Sequence, residues 1–333
     1  MKTYIYYLLI VTSILTIVSC ENELPFDFNN NPPKLVMNAL IDTTNPENIL
    51  YLNFTGKEYA TNVQNATVEV RINGQLAESL RPLPIEPEEN EQCRFKITSK
   101  FNPGDVVRID ALTDDGKYHA WSEVIVPQPL KEIEKIDTLS VEISKSGFTY
   151  DRLQYKITFN DRPNEDNYYR ILVDLQISIP DYNFDTDETV MKIKHSYGFE
   201  AHDDIVLTDG HPSTGDDDDN GIFDNIENKY GVFDDSRFKN SSYTMTVYNN
   251  IRAPRYLQLP VNIEVDVVIH LLSITETEYY YLKALNLLES DSYDETINEP
   301  IRLPSNVNGG LGVIGISTET SKTIHFPDYW ARY

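Results

Sequence analysis

Residues 216–227 read Asp-Asp-Asp-Asp-Asn-Gly-Ile-Phe-Asp-Asn-Ile-Glu and satisfy the calcium-loop pattern D-x-[DN]-x-[DN]-G-x5-E at every specified position. Calcium is a hard cation that collects oxygen ligands from a flexible loop. In that role Asp216, Asp218 and Asn220 would give side-chain oxygens, and Ile222 its backbone carbonyl. Asp224 would act directly or through water, and Glu227 would close the sphere with both carboxylate oxygens, while Gly221 permits the sharp turn. The competing reading is a solvated acidic insertion, because a run of aspartates fills several pattern positions by chance. Gly221, Asp224 and Glu227 lie outside that run. The flanks, Gly210 to Gly215 and Lys229-Tyr230-Gly231, do not read as helices, so a bound calcium would stabilise a loop rather than catalyse.

Other chemistry is thinner. Gly310-Leu311-Gly312-Val313-Ile314-Gly315 matches G-x-G-x-x-G, but a dinucleotide site needs a helix opening at the third glycine. The residues that follow, rich in Thr, Ser and Ile, read as strand or loop, so glycine-driven bending explains the motif. No H-E-x-x-H and no G-x-S-x-G occurs. The six histidines are scattered, and His202-Asp203-Asp204 with Asp209-Gly210-His211 are explained by an exposed polar loop. The chain is therefore read as having no catalytic residues. A hydrolase using paired carboxylates is the last alternative, since 53 acidic residues offer many pairs.

The N-terminus carries a different chemistry. Met1-Lys2 precede an apolar run to Val18, too short to span a bilayer comfortably, which reads as a signal peptide over residues 1–19. Ile17-Val18-Ser19-Cys20 resembles a bacterial lipobox, in which cleavage precedes Cys20 and lipid is attached there. Three acyl chains anchor stably where one does not. Residues 20–33 then form a polar, Pro-punctuated tether. With Cys20 committed to lipid, Cys93 has no intrachain partner, which excludes a disulfide framework and a cysteine metal site. A net charge of -25 excludes nucleic acid as a partner.

The elements expected to position these residues are strands. Val68, Val70 and Ile72 alternate, Asn73-Gly74 offers a tight hairpin turn, and similar segments recur to Val126, where Trp121 is available to a core. Seven or so strands across residues 34–126 predict an immunoglobulin-like β-sandwich. Pro127-Gln128-Pro129 marks a boundary. Residues 130–333 predict a second β-rich domain, with an acidic insertion at about 200–240 and one α-helix at about 275–289. Thr275 and Glu278 would form a capping box for that helix. Tyr281, Ala284, Leu285 and Leu288 fall on one face and predict its buried stripe.

Family likeness enters through the order of short motifs. Acidic Glu21 and Glu23 behind Cys20 resemble a Bacteroidota surface-export signal. With Lys34-Leu35-Val36, Asp115-Gly116-Lys117-Tyr118, Phe233-Asp234-Asp235, Ser305-Asn306-Val307 and Gly310-Leu311-Gly312, the chain resembles a Bacteroidota outer-membrane lipoprotein family of unknown function, domain of unknown function family 4249. Its genes often accompany TonB-dependent receptors. The resemblance implies a non-catalytic lipoprotein at the outer membrane, facing the cell exterior, that binds for or assists a TonB-dependent receptor. A structural or adhesive surface lipoprotein is the alternative. Calcium is the one cofactor expected. Titrating the full chain with calcium should give binding heat with an affinity of about 0.1 to 1 mM, and chelator should lower the melting temperature; silence in both would remove the site.

Overall fold

Alternation shapes the first strand. Leu35, Met37, Ala39 and Ile41 are buried while the residues between them face outward, the period of a strand with one wet face. The computed structural model describes residues 32–56, 60–63, 65–84, 93–145, 148–183, 188–212, 227–250, 264–290, 293 and 300–326. Residues 1–31, with the expected signal peptide, Cys20 and most of the expected tether, lie outside the described residues, as do Asp216, Asp218, Asn220, Ile222 and Asp224.

Strands β1 (Leu35–Asp42), β2 (Asn48–Phe54), β3 (Thr61–Asn62) and β6 (Arg94–Ile97) lie in one sheet. Facing them is a second sheet of β4 (Ala66–Ile72), β5 (Gln75–Leu80), β7 (Val106–Thr113) and β8 (His119–Ile125), ordered β5-β4-β7-β8. Asn73 and Gly74 both adopt positive φ, 51° and 81°, and close the β4–β5 hairpin as the dipeptide requires. Between the sheets lie Leu50, Leu52, Phe95 and Ile97 against Val68, Val70, Val107 and Ile109, all essentially inaccessible. Cys93 belongs to this core, and burial pushes its thiol up to about 11, so it stays protonated.

A second core forms between a three-stranded sheet and the continuation of the first. Strands β9 (Ile133–Lys145), β10 (Phe148–Asn160) and β14 (Ser242–Asn250) pair in the order β14-β10-β9. Opposite are β11 (Tyr168–Asn183), β12 (Glu188–Tyr197), β13 (Val232–Asp234) and β15 (Glu264–Ile274). Tyr155, Ile157 and Phe159 meet Ile171, Val267 and Ile269 here. The fold is mainly β, with one α-helix, α1 (Glu276–Leu288), among the described residues.

The last strand serves both cores. Strand β17 (Ile314–Phe326) runs parallel to β1 over Ile314–Ser317 and antiparallel to β15 over Thr318–Phe326. A ten-stranded sheet results, with the path β12-β11-β15-β17-β1-β2-β3 and with β6, β13 and β16 (Gly310–Leu311) as side pairings. Ile314 and Ile316 enter the first core and Phe326 the second. Residues after 130 are therefore not confined to the second core, since Val307 joins the first as well. Between the cores, Thr320 Oγ1 donates to Leu130 O at 2.6 Å and Lys322 Nζ to Ile133 O at 3.0 Å, which ties the segment after Pro129 to β17.

Helix α1 docks through a face that overlaps the one its apolar spacing predicts and is turned toward Tyr279 and Leu282. Its N-cap is Thr275, whose hydroxyl accepts from Glu278 N at 3.4 Å, but its buried residues are Glu278, Tyr279, Leu282 and Asn286. Apolar and polar partners both meet this face, Tyr279 and Leu282 packing on Val232, Leu272 and Ile274. Tyr279 OH donates to Asp234 Oδ2 at 3.0 Å, and Asn286 Nδ2 to Asn228 Oδ1 at 3.0 Å. Tyr281 and Leu285 pack half-buried against the cluster of Val232, Leu272, Ile274, Tyr279 and Leu282, and Ala284 and Leu288 are half-buried as well. The Glu278 carboxyl lies against Gly315, where a Cβ would come within 2.4 Å of Oε2, and that oxygen has no hydrogen-bond partner. Burial pushes this carboxyl up to about 7, only partly offset by the Arg170 guanidinium and reinforced by Asp42.

Because the folded value lies above the unfolded one, Glu278 favours the fold most below pH of about 4.5, and that contribution fades as pH rises through about 7. The full difference is on the order of 3 kcal/mol. Urea titrations at several pH values should show Glu278→Gln more stable than the parent above pH of about 7 and a flatter profile; parallel profiles would refute this.

Candidate functional site

Alternation that buries Ala120, Ser122 and Val124 of β8 turns His119, Trp121 and Glu123 to the opposite face. Trp121, expected in a core, is therefore on the outer surface of the four-stranded sheet. Its ring lies under Arg108, with the guanidinium carbon 4.0 Å from the ring centroid. Attraction between the cation and the ring face helps hold the arginine in place.

Beside Arg108 is a concavity of about 420 Å³, lined by Thr67, Glu69 and Arg71 of β4, Arg108, Asp110 and Leu112 of β7, and His119 of β8. Its size is in the range of small-ligand sites. Strand register sets its layout. Arg71 is opposite Arg108, Glu69 opposite Asp110, and Thr67 opposite Leu112, which in turn faces His119. Between β4 and β7 like charges thus sit directly across from each other, an arrangement that costs stability in a sheet, while on its other side Arg108 faces Glu123 of β8. Neutralisation also runs along each strand. Arg108 Nε and Nη2 form a fork on Asp110 at 2.8 and 2.9 Å, and Arg71 pairs with Glu69. His119 Nε2 lies 3.1 Å from Asp110 Oδ1; since an ionised carboxylate only accepts, the contact needs Nε2–H. The Arg108 guanidinium holds the Asp110 carboxyl below the usual carboxylate range, and Asp110 holds Arg108 charged.

The family-like segment near the C-terminus braces this face from its edge. Trp121 N donates to Asn308 O at 3.0 Å, and Asn308 N to Trp121 O at 2.7 Å. Gly309, at φ 73°, passes so close to β8 that a Cβ would lie 2.4 Å from His119 O. Asn306 binds both backbone groups of Ile314, donating to O at 2.8 Å and accepting from N at 2.9 Å. Gly312, at φ 115°, abuts Met37 O, and the next regular element is strand β17 rather than a helix, so the glycine-rich motif has the backbone of a bend.

The remaining motifs resolve into structural contacts. Asp234 accepts from Ser236 N, and Asp235 from Asn167 N. Asp115 accepts from Thr113 Oγ1 at 2.7 Å and from Lys117 N, shaping the β7–β8 turn. Asp204 is buried and receives Val206 N, Leu207 N, Thr246 N and Tyr243 OH, while Asp209 accepts from Lys283 of α1. The two His-Asp stretches therefore serve different partners. Of the residues expected to ligate calcium only Glu227 is described, exposed, with its carbonyl accepting from Lys229 N.

Sequence inspection missed two groupings. One is the arginine–carboxylate concavity, for which the charged alternation of Glu69, Arg71, Arg108 and Asp110 was the available signal. The other lies on the outer face of the large sheet, where His195 meets Asp174 at 2.9 Å, His270 meets Glu319 at 2.8 Å and His325 meets Asp266 at 2.7 Å. Each imidazole has its own carboxylate. His195 and His325 end the row His195–Gln176–Asp266–His325, and His270 lies in another row, so these imidazoles do not converge. Among the described residues no group of three or more His, Cys, Asp or Glu is placed to hold a metal ion.

These features define a mainly β protein with two large cores on a shared sheet, a smaller apolar cluster under α1 and a polar concavity on its N-terminal half. The chain belongs to the family described as domain of unknown function (DUF4249), whose model matches residues 21–323. Comparison with curated proteins finds no match.

Because Gly309 combines positive φ with backbone contact, Gly309→Ala should destabilise the protein by about 1 to 3 kcal/mol in urea unfolding. Unchanged stability would show that this brace is not required.

Proposed function

We propose that the protein is a lipid-anchored outer-membrane component, facing the cell exterior, that binds for or assists a TonB-dependent uptake system and performs no chemistry of its own. The anchor rests on Ile17-Val18-Ser19-Cys20, the exterior placement on the acidic residues behind it, and the importer on the family likeness. The observation that carries the binding role is the arginine–carboxylate concavity. Asp110 is held ionised and Arg108 charged, each displaced away from neutrality by the other. General acid–base work calls for groups poised near the operating pH, whereas fixed, fully charged hydrogen-bonding groups suit recognition. Calcium at residues 216–227 would add a stabilised loop to this module.

Tagged full-length protein purified from solubilised outer membranes of its native host should bring down a TonB-dependent receptor. Repeated recovery of the chain alone would remove the importer role. Cys20→Ser should abolish metabolic labelling with palmitate and release the protein from the membrane fraction; retained label would refute lipidation at that cysteine.

A further inference from the structure

We infer that α1 is a pH-responsive clasp on the large sheet and that Glu278 is its moving part. Neutral, the carboxyl tucks against Gly315 and the helix is held down. Ionised, it swings out to the helix N-terminus and the first turn lifts. The inference is independent of the binding role proposed above.

Geometry gives the closed position. Glu278, in the first turn of α1, is 2% exposed, and its Oε2 has no hydrogen-bond partner. Gly315 provides the room, since a Cβ there would come within 2.4 Å of Oε2 and 3.0 Å of the Glu278 Cβ. Arg170 of β11 acts on the carboxyl from a distance, but it gives Nε to Tyr230 O at 2.9 Å and makes no ion pair with Glu278. A carboxyl in such a site is favoured in its neutral form. That is why burial pushes it up to about 7.

Local sequence supplies the second position. Thr275 and Glu278 have capping-box spacing, in which the Glu side chain accepts from the N-cap N–H. Only one half of the box is made: Thr275 Oγ1 accepts from Glu278 N at 3.4 Å, while the carboxyl lies against Gly315 instead. A carboxylate released from Gly315 therefore has a receptive place within its own helical turn, where free backbone N–H groups and the helix dipole favour negative charge.

The contacts beneath α1 keep this movement local. Val232, Leu272, Ile274, Tyr279 and Leu282 form a cluster far smaller than either core, and a segment with few buried apolar contacts opens ahead of the rest. Its remaining ties are polar: Tyr168 OH donates to Glu276, Tyr279 OH to Asp234, Lys283 Nζ to Asp209 and Tyr230 OH to Glu289. Asp42 of β1 opposes ionisation of Glu278, and Arg170 favours it. Asp234 of β13 is buried, yet hydrogen bonds from Ser236 and Tyr279 hold it below the usual carboxylate range, so it weakens docking only in acid. His270 of β15 pairs with Glu319 of β17 farther along the same face. Docking by Glu278 is complete below pH of about 4.5, and opening grows by about tenfold per pH unit until about 7, where it levels.

Hydrogen exchange read by mass spectrometry on the full-length protein in detergent, corrected for intrinsic rates, tests the clasp. Peptides from 276–288 should exchange ahead of those from β4 and β7, and should open at least about tenfold more at pH of about 8 than at about 5. Glu278→Gln should keep α1 protected at both pH values. Gly315→Ala, whose methyl takes the place of the carboxyl, should leave α1 opened at both. Exchange of α1 in step with β4 and β7 would overturn the inference. So would a rise of equal size in Glu278→Gln, which would assign it to His270. If circular dichroism shows Glu278→Gln unfolded, Gly315→Ala decides alone, and pH dependence kept intact in that variant refutes the clasp.

Discussion

Hydrogen bonding along β17 changes partner midway, and both cores depend on that change. Up to Ser317 the strand completes the sheet of β1, and from Thr318 it completes the sheet of β15. Even-numbered positions carry the apolar contacts, Ile314 and Ile316 for one core and Phe326 for the other. Thr320 and Lys322 between them take up the carbonyls of Leu130 and Ile133. A single extended segment thus joins residues nearly three hundred positions apart, Leu40 with Gly315 among them. Such non-local pairing carries a large loop-closure cost before it is rewarded, so this junction is expected to form late in folding.

Odd-numbered positions of β17 explain the helix and the histidines. Gly315 has no side chain, and the space is filled by the Glu278 carboxyl of α1. Farther along, Glu319 and His325 face outward and pair with His270 and Asp266 of β15. Burial without a partner for Oε2 makes Glu278 the costliest carboxylate in this region when ionised. Its location at the strand switch links the ionisation of one side chain to the element that unites the two cores.

The concavity depends on the same C-terminal region. Residues 306–312 lie between β1 and β8, so the chain that leads into β17 also braces the strand carrying His119 and Trp121. The family-like motifs Ser305-Asn306-Val307 and Gly310-Leu311-Gly312, the second of which matches part of a dinucleotide signature in sequence, act here through contacts with the backbone. Their service to the concavity is indirect: they hold the sheet edge, and the arginines and carboxylates come from strands with no motif at all.

Local alternation determined most strands, since one-face burial imposes a period of two that is visible in Leu35 to Ile41, Ala66 to Ile72 and Tyr155 to Phe159. Asn73-Gly74 likewise determined its hairpin through positive φ, and Thr275 the start of α1. What alternation cannot say is which strand lies beside which, or which face turns inward when both are mixed. Trp121 therefore went outward under Arg108, and α1 turned Tyr279 and Asn286 inward, where Asp234, Asn228 and the cluster of Val232, Leu272 and Ile274 meet them. The opposition of Arg71 with Arg108 and of Glu69 with Asp110 exists only once β4 and β7 are in register. Side-chain spacing along one strand is written in the sequence, whereas spacing across strands is set by backbone pairing between distant segments, and the concavity is made of the second kind.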